Sequence, residues 1–222
     1  MRAENGTRVT VIDAGVGNLA NLERALRHLG AEAEVTADPE RVAAARCLVL
    51  PGVGAFAPPR ERLRASGLEE ALRAALGGEA DRSGAWLLGV CVGFQLLFEE
   101  SEEFGRTDGL GLLSGRVTAL PAGVPSPHIG WNPLHDVAPH PLLSTPERIP
   151  EGSHVYFVHG YAVEGAPESQ VLARATHGRA FPAVAGRGRV LGTQFHPEKS
   201  GPVGLAILAN YLEMAHGAAA RD

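Results

Sequence analysis

Residues 85–99, AWLLGVCVGFQLLFE, constrain the fold more than any other stretch. The apolar run Ala85 to Val90 reads as a buried strand. It breaks at Gly89-Val90-Cys91-Val92-Gly93, after which Phe94, Leu96, Leu97 and Phe98 read as a helix packed on its neighbours. A strand that turns sharply into a helix, with Cys91 on the turn and glycine two residues to each side, has the layout of a nucleophile elbow with cysteine in place of serine. The glycines are expected to let the backbone bend and to keep bulk away from the sulfur. A helix beginning beside Cys91 would favour a thiolate through its free N–H groups and dipole. Gln95 would lie one turn on, on the same face as Cys91, where its amide suits a substrate with polar groups to grip. A buried structural cysteine in an ordinary strand–helix turn explains the stretch equally well, and on these residues alone the two readings stand level.

The chain has 222 residues, 45% of them hydrophobic, enough for a sizeable core. Its net charge of −5 carries no basic stripe, which argues against a nucleic-acid partner. Two cysteines, Cys47 and Cys91, make no disulfide framework and suit a reducing cytosol. Cys47 sits in Cys47-Leu48-Val49-Leu50 and reads as a packed core thiol. The polar start MRAENGTR lacks the apolar stretch of a signal peptide, and no apolar run is long enough to span a membrane. The expectation is a cytoplasmic protein without a membrane partner.

Strand and helix patterns alternate over the first hundred residues. Strands are expected at Arg8 to Ala14, Ala31 to Thr36, Arg46 to Leu50 and Ala85 to Val90. Helices are expected at Leu19 to Leu29, from Asp38-Pro39, at Leu63 to Leu76, and after Cys91. Such alternation predicts a parallel sheet covered by helices, with ligands at the carboxyl ends of its strands. Three glycine-bearing loops, at 15–17, 52–54 and 89–93, fall at such ends. Beyond Phe104 the pattern changes to strands separated by prolines and glycines: Arg116 to Leu120, His154 to Val158, Val171 to Thr176 and Val190 to Phe195. The stretch 121–150 is proline-rich and reads as extended or looped, and Pro202 to Ala215 reads as a final helix. The predicted fold is α/β: a flavodoxin-like, open, mostly parallel central sheet with helices on both faces, and a smaller antiparallel β extension in the second half. Residues 1–7 are expected to be a mobile leader, 8–215 one domain, and 216–222 a frayed tail.

The loop Gly15-Val16-Gly17-Asn18 follows a strand and opens a helix, which invites a dinucleotide-binding reading. Alanine at the third glycine position, and Asp38 placed as a helix cap, argue against it. A cysteine nucleophile needs a base, an orienting group and an oxyanion site. His196 stands at the end of the last strand, and Glu198, two residues on, would point the same way in extended chain. Such a carboxylate holds the imidazole in one tautomer and stabilises its charged form. Pro197 restricts His196 to extended backbone. A histidine packed at a strand end beside a solvated glutamate is the bland alternative. Gly52, Val53 and Gly54, in Pro51-Gly52-Val53-Gly54, follow a neighbouring strand and can turn backbone N–H groups towards a ligand, and the N–H of Val92 can supply a second donor. An ordinary strand-ending turn explains the glycines too. The remaining histidines do not sit at ligand spacing, so no metal is expected.

Taken together, GVCVG at 89–93, PGVG at 51–54 and HPE at 196–198 resemble the class I, triad-type glutamine amidotransferases. DAGVGNLANL at 13–22, PGVGAF at 51–56, QLLFEESEE at 95–103, HIGWN at 128–132, YFVHGY at 156–161 and QFHPEKS at 194–200 narrow the resemblance to glutaminase subunits of imidazole glycerol phosphate synthase, in histidine biosynthesis. The resemblance spans residues 8 to 215 or so. It implies Cys91 as nucleophile, His196 as base and acid, and Glu198 as its orienter. It implies glutamine contacts at Gly52, Gln95, Gly160 and Tyr161, and a partner interface at Asn18, Asn21, Trp131 and Lys199. The implied substrate is L-glutamine, the implied partner is a (β/α)8-barrel cyclase subunit in a heterodimer, and no cofactor is implied. Gly160 replaces an expected small hydroxyl residue, and Phe94 a more usual methionine. Two alternatives are a glutaminase of pyridoxal phosphate or anthranilate synthesis, and a catalytically silent module on the same scaffold. The PGVG turn is the part expected to move.

Overall fold

The computed structural model describes residues 6–15, 17–77, 84–144 and 148–219. Its first half runs β1 (Arg8–Ile12), α1 (Leu19–His28), β2 (Glu32–Thr36), α2 (Pro39–Ala44), β3 (Cys47–Gly52), α3 (Ala57–Ala65), α4 (Leu68–Leu76), β4 (Trp86–Cys91) and α5 (Val92–Gln95). The second half continues with β5 (Glu100–Ser101), β6 (Thr107–Asp108), β7 (Arg116–Ala119), β8 (His128–Pro133), α6 (Pro141–Ser144), β9 (His154–His159) and β10 (Tyr161–Glu164). It closes with β11 (Val171–His177), β12 (Arg179–Arg187), β13 (Val190–Thr193) and α7 (Gly201–Ala219).

Seven strands form one sheet in the order β11-β12-β13-β4-β3-β1-β2. The five from β2 to β13 are parallel, in the flavodoxin-like order β2-β1-β3-β4-β13, and β12 and β11 extend the sheet antiparallel. The central strands are buried along nearly their whole length. Every residue of β3, Cys47 to Gly52, is buried, and so is Leu87 to Cys91 in β4. That continuous burial is why both read as unbroken apolar runs rather than alternating ones. A second sheet, β10-β7-β5-β6, and a two-stranded ribbon, β8-β9, make the predicted β extension. The second sheet is not purely antiparallel, because β5 and β7 pair parallel.

Helix positions follow local chemistry. Asp38 caps α2, its Oδ1 accepting from the Glu40 N–H at 3.0 Å, with Pro39 opening the first turn. The expected helix over 63–76 is instead two, because Gly67 takes φ 76 between α3 and α4. Buried Arg60 of α3 joins them with a two-pronged pair to Glu69 of α4, at 2.7 and 3.1 Å. The helix after Cys91 is only four residues long, too short for the dipole expected of it. In the proline-rich 121–150 stretch a strand forms, and β12, the longest strand, arises where only connections were expected. Residue 7 is no free leader: Thr7 is buried and its carbonyl accepts from the Glu32 N–H at 3.0 Å, while residues 1–5 lie outside the described residues. At the other end α7 runs on to Ala219, past the expected fraying at 216, and residues 220–222 lie outside the description.

Candidate active site

Parallel register brings the three glycine- and histidine-bearing strand ends together. Gly52 at the end of β3 pairs with Cys91 at the end of β4, and Thr193 at the end of β13 pairs with Val90. The turn after β3 therefore flanks the sulfur on one side and the segment after β13 on the other. The site lies at the carboxyl ends of the parallel strands, as expected for an open α/β sheet.

Cys91 carries the strain of the elbow itself, at φ 56, ψ −110, a backbone region that costs a non-glycine residue on the order of 1–3 kcal/mol. The neighbouring glycines serve a different purpose from bending. Neither Gly89 nor Gly93 has positive φ. A Cβ on Gly93 would collide with the Leu50 carbonyl, and one on Gly89 would meet the Phe94 Cα at 2.8 Å. They are glycines because β3, β4 and the start of α5 touch backbone to backbone there.

Beside Cys91, a partly open cavity of about 100 Å³ is lined by Val53, Gly54, Cys91, Val92, Gln95, Glu103, Val158, His159, Gly160, Tyr161 and His196. The predicted residues Val53, Gly54, Val92, Gln95, Gly160, Tyr161 and His196 thus meet around the sulfur. Gly52 does not line the cavity: its absent Cβ would lie 2.8 Å from the Gly93 nitrogen and the Val92 Cβ, so it packs against the elbow from behind. Glu198 stands behind His196. It lies on a short 3₁₀ turn, Pro197–Lys199, rather than in extended chain, and its Oε1 still meets His196 Nδ1 at 2.9 Å. Three lining residues, Glu103, Val158 and His159, escape the sequence reading. Glu103 sits in a run of acids, SEE, that resembles a solvated surface and gives no signal of its own.

Electrostatics favour a charged His196. Burial opposes the charged ring, but contact with Cys91 and the Glu198 carboxylate outweighs it and raises the pKa from 6.5 to about 9. Among the described residues, His196 Nε2 and Glu198 Oε2 are buried without a hydrogen-bond partner. The Cys91 sulfur is close enough to influence the ring, yet its thiol is directed to the Val158 carbonyl at 3.8 Å. Gln95 is more firmly held. Its Nε2 donates to the Tyr161 carbonyl at 2.9 Å and to Gln194 Oε1 at 3.1 Å. Both amide hydrogens are spent, which leaves Oε1 as an acceptor. Glu103 Oε2 accepts from the Phe56 N–H at 2.7 Å, and burial raises its pKa against that bond. The cavity is thus lined by a thiol, an imidazole backed by a carboxylate, the Val53-Gly54 turn and Val92, the side chain of Gln95 and the carboxylate of Glu103. Among the described residues no group of three or more His, Cys, Asp or Glu has metal-binding geometry.

The predicted interface residues stand outside the cavity. Trp131 is 55% exposed and neighbours Tyr156, ring centroids 6.1 Å apart, and Lys199 Nζ lies 5.8 Å over the same Tyr156 ring. Lys199 directly follows Glu198, so this surface backs onto the histidine–glutamate turn. Asn18 precedes α1 without capping it through its side chain, and Asn21 accepts from Arg24 at 3.4 Å.

The chain matches the glutamine amidotransferase class-I family over residues 10–214. It is similar to a glutamine amidotransferase of known structure, with TM-score 0.71 and 24% identity over 94% of this chain and 98% of that one. A glutamine amidotransferase from Thermotoga maritima aligns with TM-score 0.63 and 17% identity over 94% and 97%, a likeness of fold. The chain belongs to the class-I glutamine amidotransferases. It is 48% identical to the imidazole glycerol phosphate synthase subunit HisH of Symbiobacterium thermophilum, over 93% of this chain and 94% of that protein. It is 47% identical to the subunit of the same name from Geobacillus kaustophilus, over 94% and 98%. Within its class, this chain belongs to the HisH family.

Proposed function

We propose that this chain hydrolyses L-glutamine to L-glutamate and ammonia through a thioester on Cys91, and that the ammonia passes to a (β/α)8-barrel cyclase partner for imidazole glycerol phosphate synthesis. The observation that carries this reading is the meeting of Cys91 and His196 at one cavity, from segments far apart in sequence, with Glu198 behind the His196 ring.

The chemistry follows from the groups present. Cys91, its proton transferred to His196, attacks the side-chain amide carbon of glutamine. The oxyanion that develops is met by the Val92 N–H directly after the nucleophile and by N–H groups of the Val53-Gly54 turn beside it. A glycine at 54, with φ 83, lets that turn present its amides without a side chain in the way. His196 gives its proton to the departing amine, so ammonia leaves and the glutamyl thioester remains. Water, deprotonated by His196, then attacks the thioester. Carbon–sulfur cleavage returns Cys91 and releases glutamate. Glu198 keeps the His196 ring in one orientation throughout. Gln95 Oε1 and the Glu103 carboxylate suit the α-ammonium of glutamine, and the Gly160–Tyr161 backbone closes the cavity beside them.

Ammonia free in neutral water becomes ammonium and loses its nucleophilicity, so transfer through a dry passage to the partner is the physically sensible route. The cyclase would use it to make imidazole glycerol phosphate and an aminoimidazole carboxamide ribotide. The docking face assigned here comprises Trp131, Lys199, Asn18 and Asn21, supported by the exposed indole and by the closeness of Lys199 to the catalytic turn. A cytoplasmic setting fits this role, and among the described residues no helix is long and apolar enough to cross a membrane. One domain from residue 8 onward carries the activity in this reading.

The test is Cys91→Ala assayed in complex with the cyclase. Glutamine-dependent synthesis should vanish while ammonia-dependent synthesis continues at its normal rate. Continued use of glutamine by the Cys91→Ala complex would overturn the mechanism.

A further inference from the structure

Two histidines that the chemistry above does not use are buried beside the cavity. His159, at the end of β9, and His128, at the start of β8, are each 6% exposed and face each other across the ribbon, paired in register. His159 Nδ1 lies 2.8 Å from the Tyr161 carbonyl oxygen, and His159 Nε2 lies 3.2 Å from His128 Nδ1. These partners fix the protons. A carbonyl only accepts, so His159 Nδ1 carries the hydrogen. In a neutral ring Nε2 is then the acceptor, and His128 Nδ1 must donate to it. The result is a one-way relay of N–H donors, from His128 to His159 to the Tyr161 carbonyl. A proton added to His159 Nε2 would set two N–H groups against each other. Both rings are held neutral, His159 at a pKa of about 3 and His128 at about 4, first by burial and then by neighbouring histidines.

The relay ends where the cavity wall passes from one sheet to another. Gly160 separates β9, which pairs with β8, from β10, which pairs with β7. The chain changes partners there, and Val158, His159, Gly160 and Tyr161 all line the cavity. The Tyr161 carbonyl that receives the His159 N–H also receives the Gln95 amide, and the Val158 carbonyl is the one facing the Cys91 thiol. One hydrogen-bond chain therefore bears on both the amide that greets the ligand and the wall opposite the sulfur. Phe157 and His177 stack on the His128 ring, at 5.0 and 4.1 Å between centroids, and hold it flat against the relay.

We propose that His128 and His159 are positioning residues of the glutaminase site, which set the Val158–Tyr161 wall and, through the shared Tyr161 carbonyl, the acceptor face of Gln95. The proposal rests on the function assigned above and adds two residues that touch no reacting atom.

The test uses the full chain bound to its cyclase partner and three variants: His159→Leu, which removes the relay, His159→Asn, which returns an N–H near Nδ1, and His128→Phe, which removes only the upstream donor. Each is assayed for glutamine KM and kcat, for ammonia-dependent synthesis, and for Cys91 labelling by iodoacetamide and by a diazoketone analogue of glutamine. His159→Leu is expected to raise the glutamine KM about tenfold and to slow labelling by the analogue to match, as loss of one positioned hydrogen bond would. Iodoacetamide labelling and ammonia-dependent synthesis should stay within about twofold, because neither needs the wall. His159→Asn should recover most of the loss, and His128→Phe should fall between. A glutamine KM within about twofold of the parent in folded His159→Leu overturns the proposal, as does an equal fall in every readout. If His159→Leu does not fold, an unchanged glutamine KM in His128→Phe overturns it. An unaltered complex without glutaminase activity removes the parent reading and this one together, whereas an active parent with unmoved variants removes only this one.

Discussion

Gly52, the last residue of β3, pairs in register with Cys91, the last residue of β4. This pairing sets the Val53-Gly54 turn against the nucleophile and requires three backbones to share a space that admits no Cβ at Gly52 or Gly93.

Gly93→Ala is therefore expected to destabilise the chain by about 1–3 kcal/mol, the range for overpacking, since the new methyl meets the Leu50 backbone carbonyl rather than a side chain that can swing away. Urea unfolding monitored by circular dichroism measures it. A midpoint equal to that of the parent would show that the elbow relaxes freely.

Glu198→Gln removes the negative charge 2.9 Å from His196 Nδ1. Glutamine-dependent turnover should fall by roughly 10²-fold or more, as when an orienting carboxylate is replaced by an amide elsewhere. Ammonia-dependent synthesis by the complex should not change. A loss of less than about threefold would mean that the carboxylate only packs, with no part in the proton transfers.

The raised pKa of His196 makes stability depend on pH. The folded value of about 9 lies above the ordinary 6.5, so the folded chain holds this proton more tightly than the unfolded one. The stabilisation, on the order of 3 kcal/mol, is fully present below pH 6.5 and fades as pH rises through about 9. The difference in unfolding free energy between the parent and His196→Phe, measured at pH 6, 7.5 and 9.5 or so, should shrink steadily across that window. A difference that grows with pH would reverse the sign of the argument.

Among the described residues, Glu103 is the one carboxylate lining the cavity, besides Glu198 behind His196. Glu103→Gln keeps an acceptor for the Phe56 N–H but loses the charge, so glutamine KM should rise roughly tenfold or more with little change in kcat. Steady-state kinetics of the complex test it. A fall in kcat at constant KM would assign Glu103 to the chemistry instead.

Much of this was legible beforehand. The continuous apolar runs at 47–50 and 85–90 identify strands buried on both faces, and their order along the chain yields the parallel sheet. Cys91 was placed at the end of its strand by the apolar run before it, and the His196–Glu198 pairing was anticipated from their spacing, although the pair sits on a 3₁₀ turn and not in extended chain. What escaped depends on tertiary pairing. β12 contains Pro182 and Gly186, which read as breakers; the strand tolerates them beside the register shifts of β11. The β8 strand lies in proline-rich chain, and only its pairing with β9 gives it shape. Gly52 has the composition of a ligand loop but serves packing. Glu103 and the His128–His159 pair acquire meaning only when residues 31 to 66 positions apart are brought together.

The proposed chemistry depends above all on Cys91, and a glutamine analogue with an electrophilic carbon at the amide position tests it most directly. The complex is inactivated with the diazoketone analogue, digested and mapped by mass spectrometry. One label per chain is predicted, on Cys91, which lines the cavity, and not on Cys47, which does not, with glutamine-dependent synthesis lost in proportion to labelling and ammonia-dependent synthesis intact. Full inactivation with Cys91 unlabelled, or glutamine turnover by fully labelled chain, would contradict it.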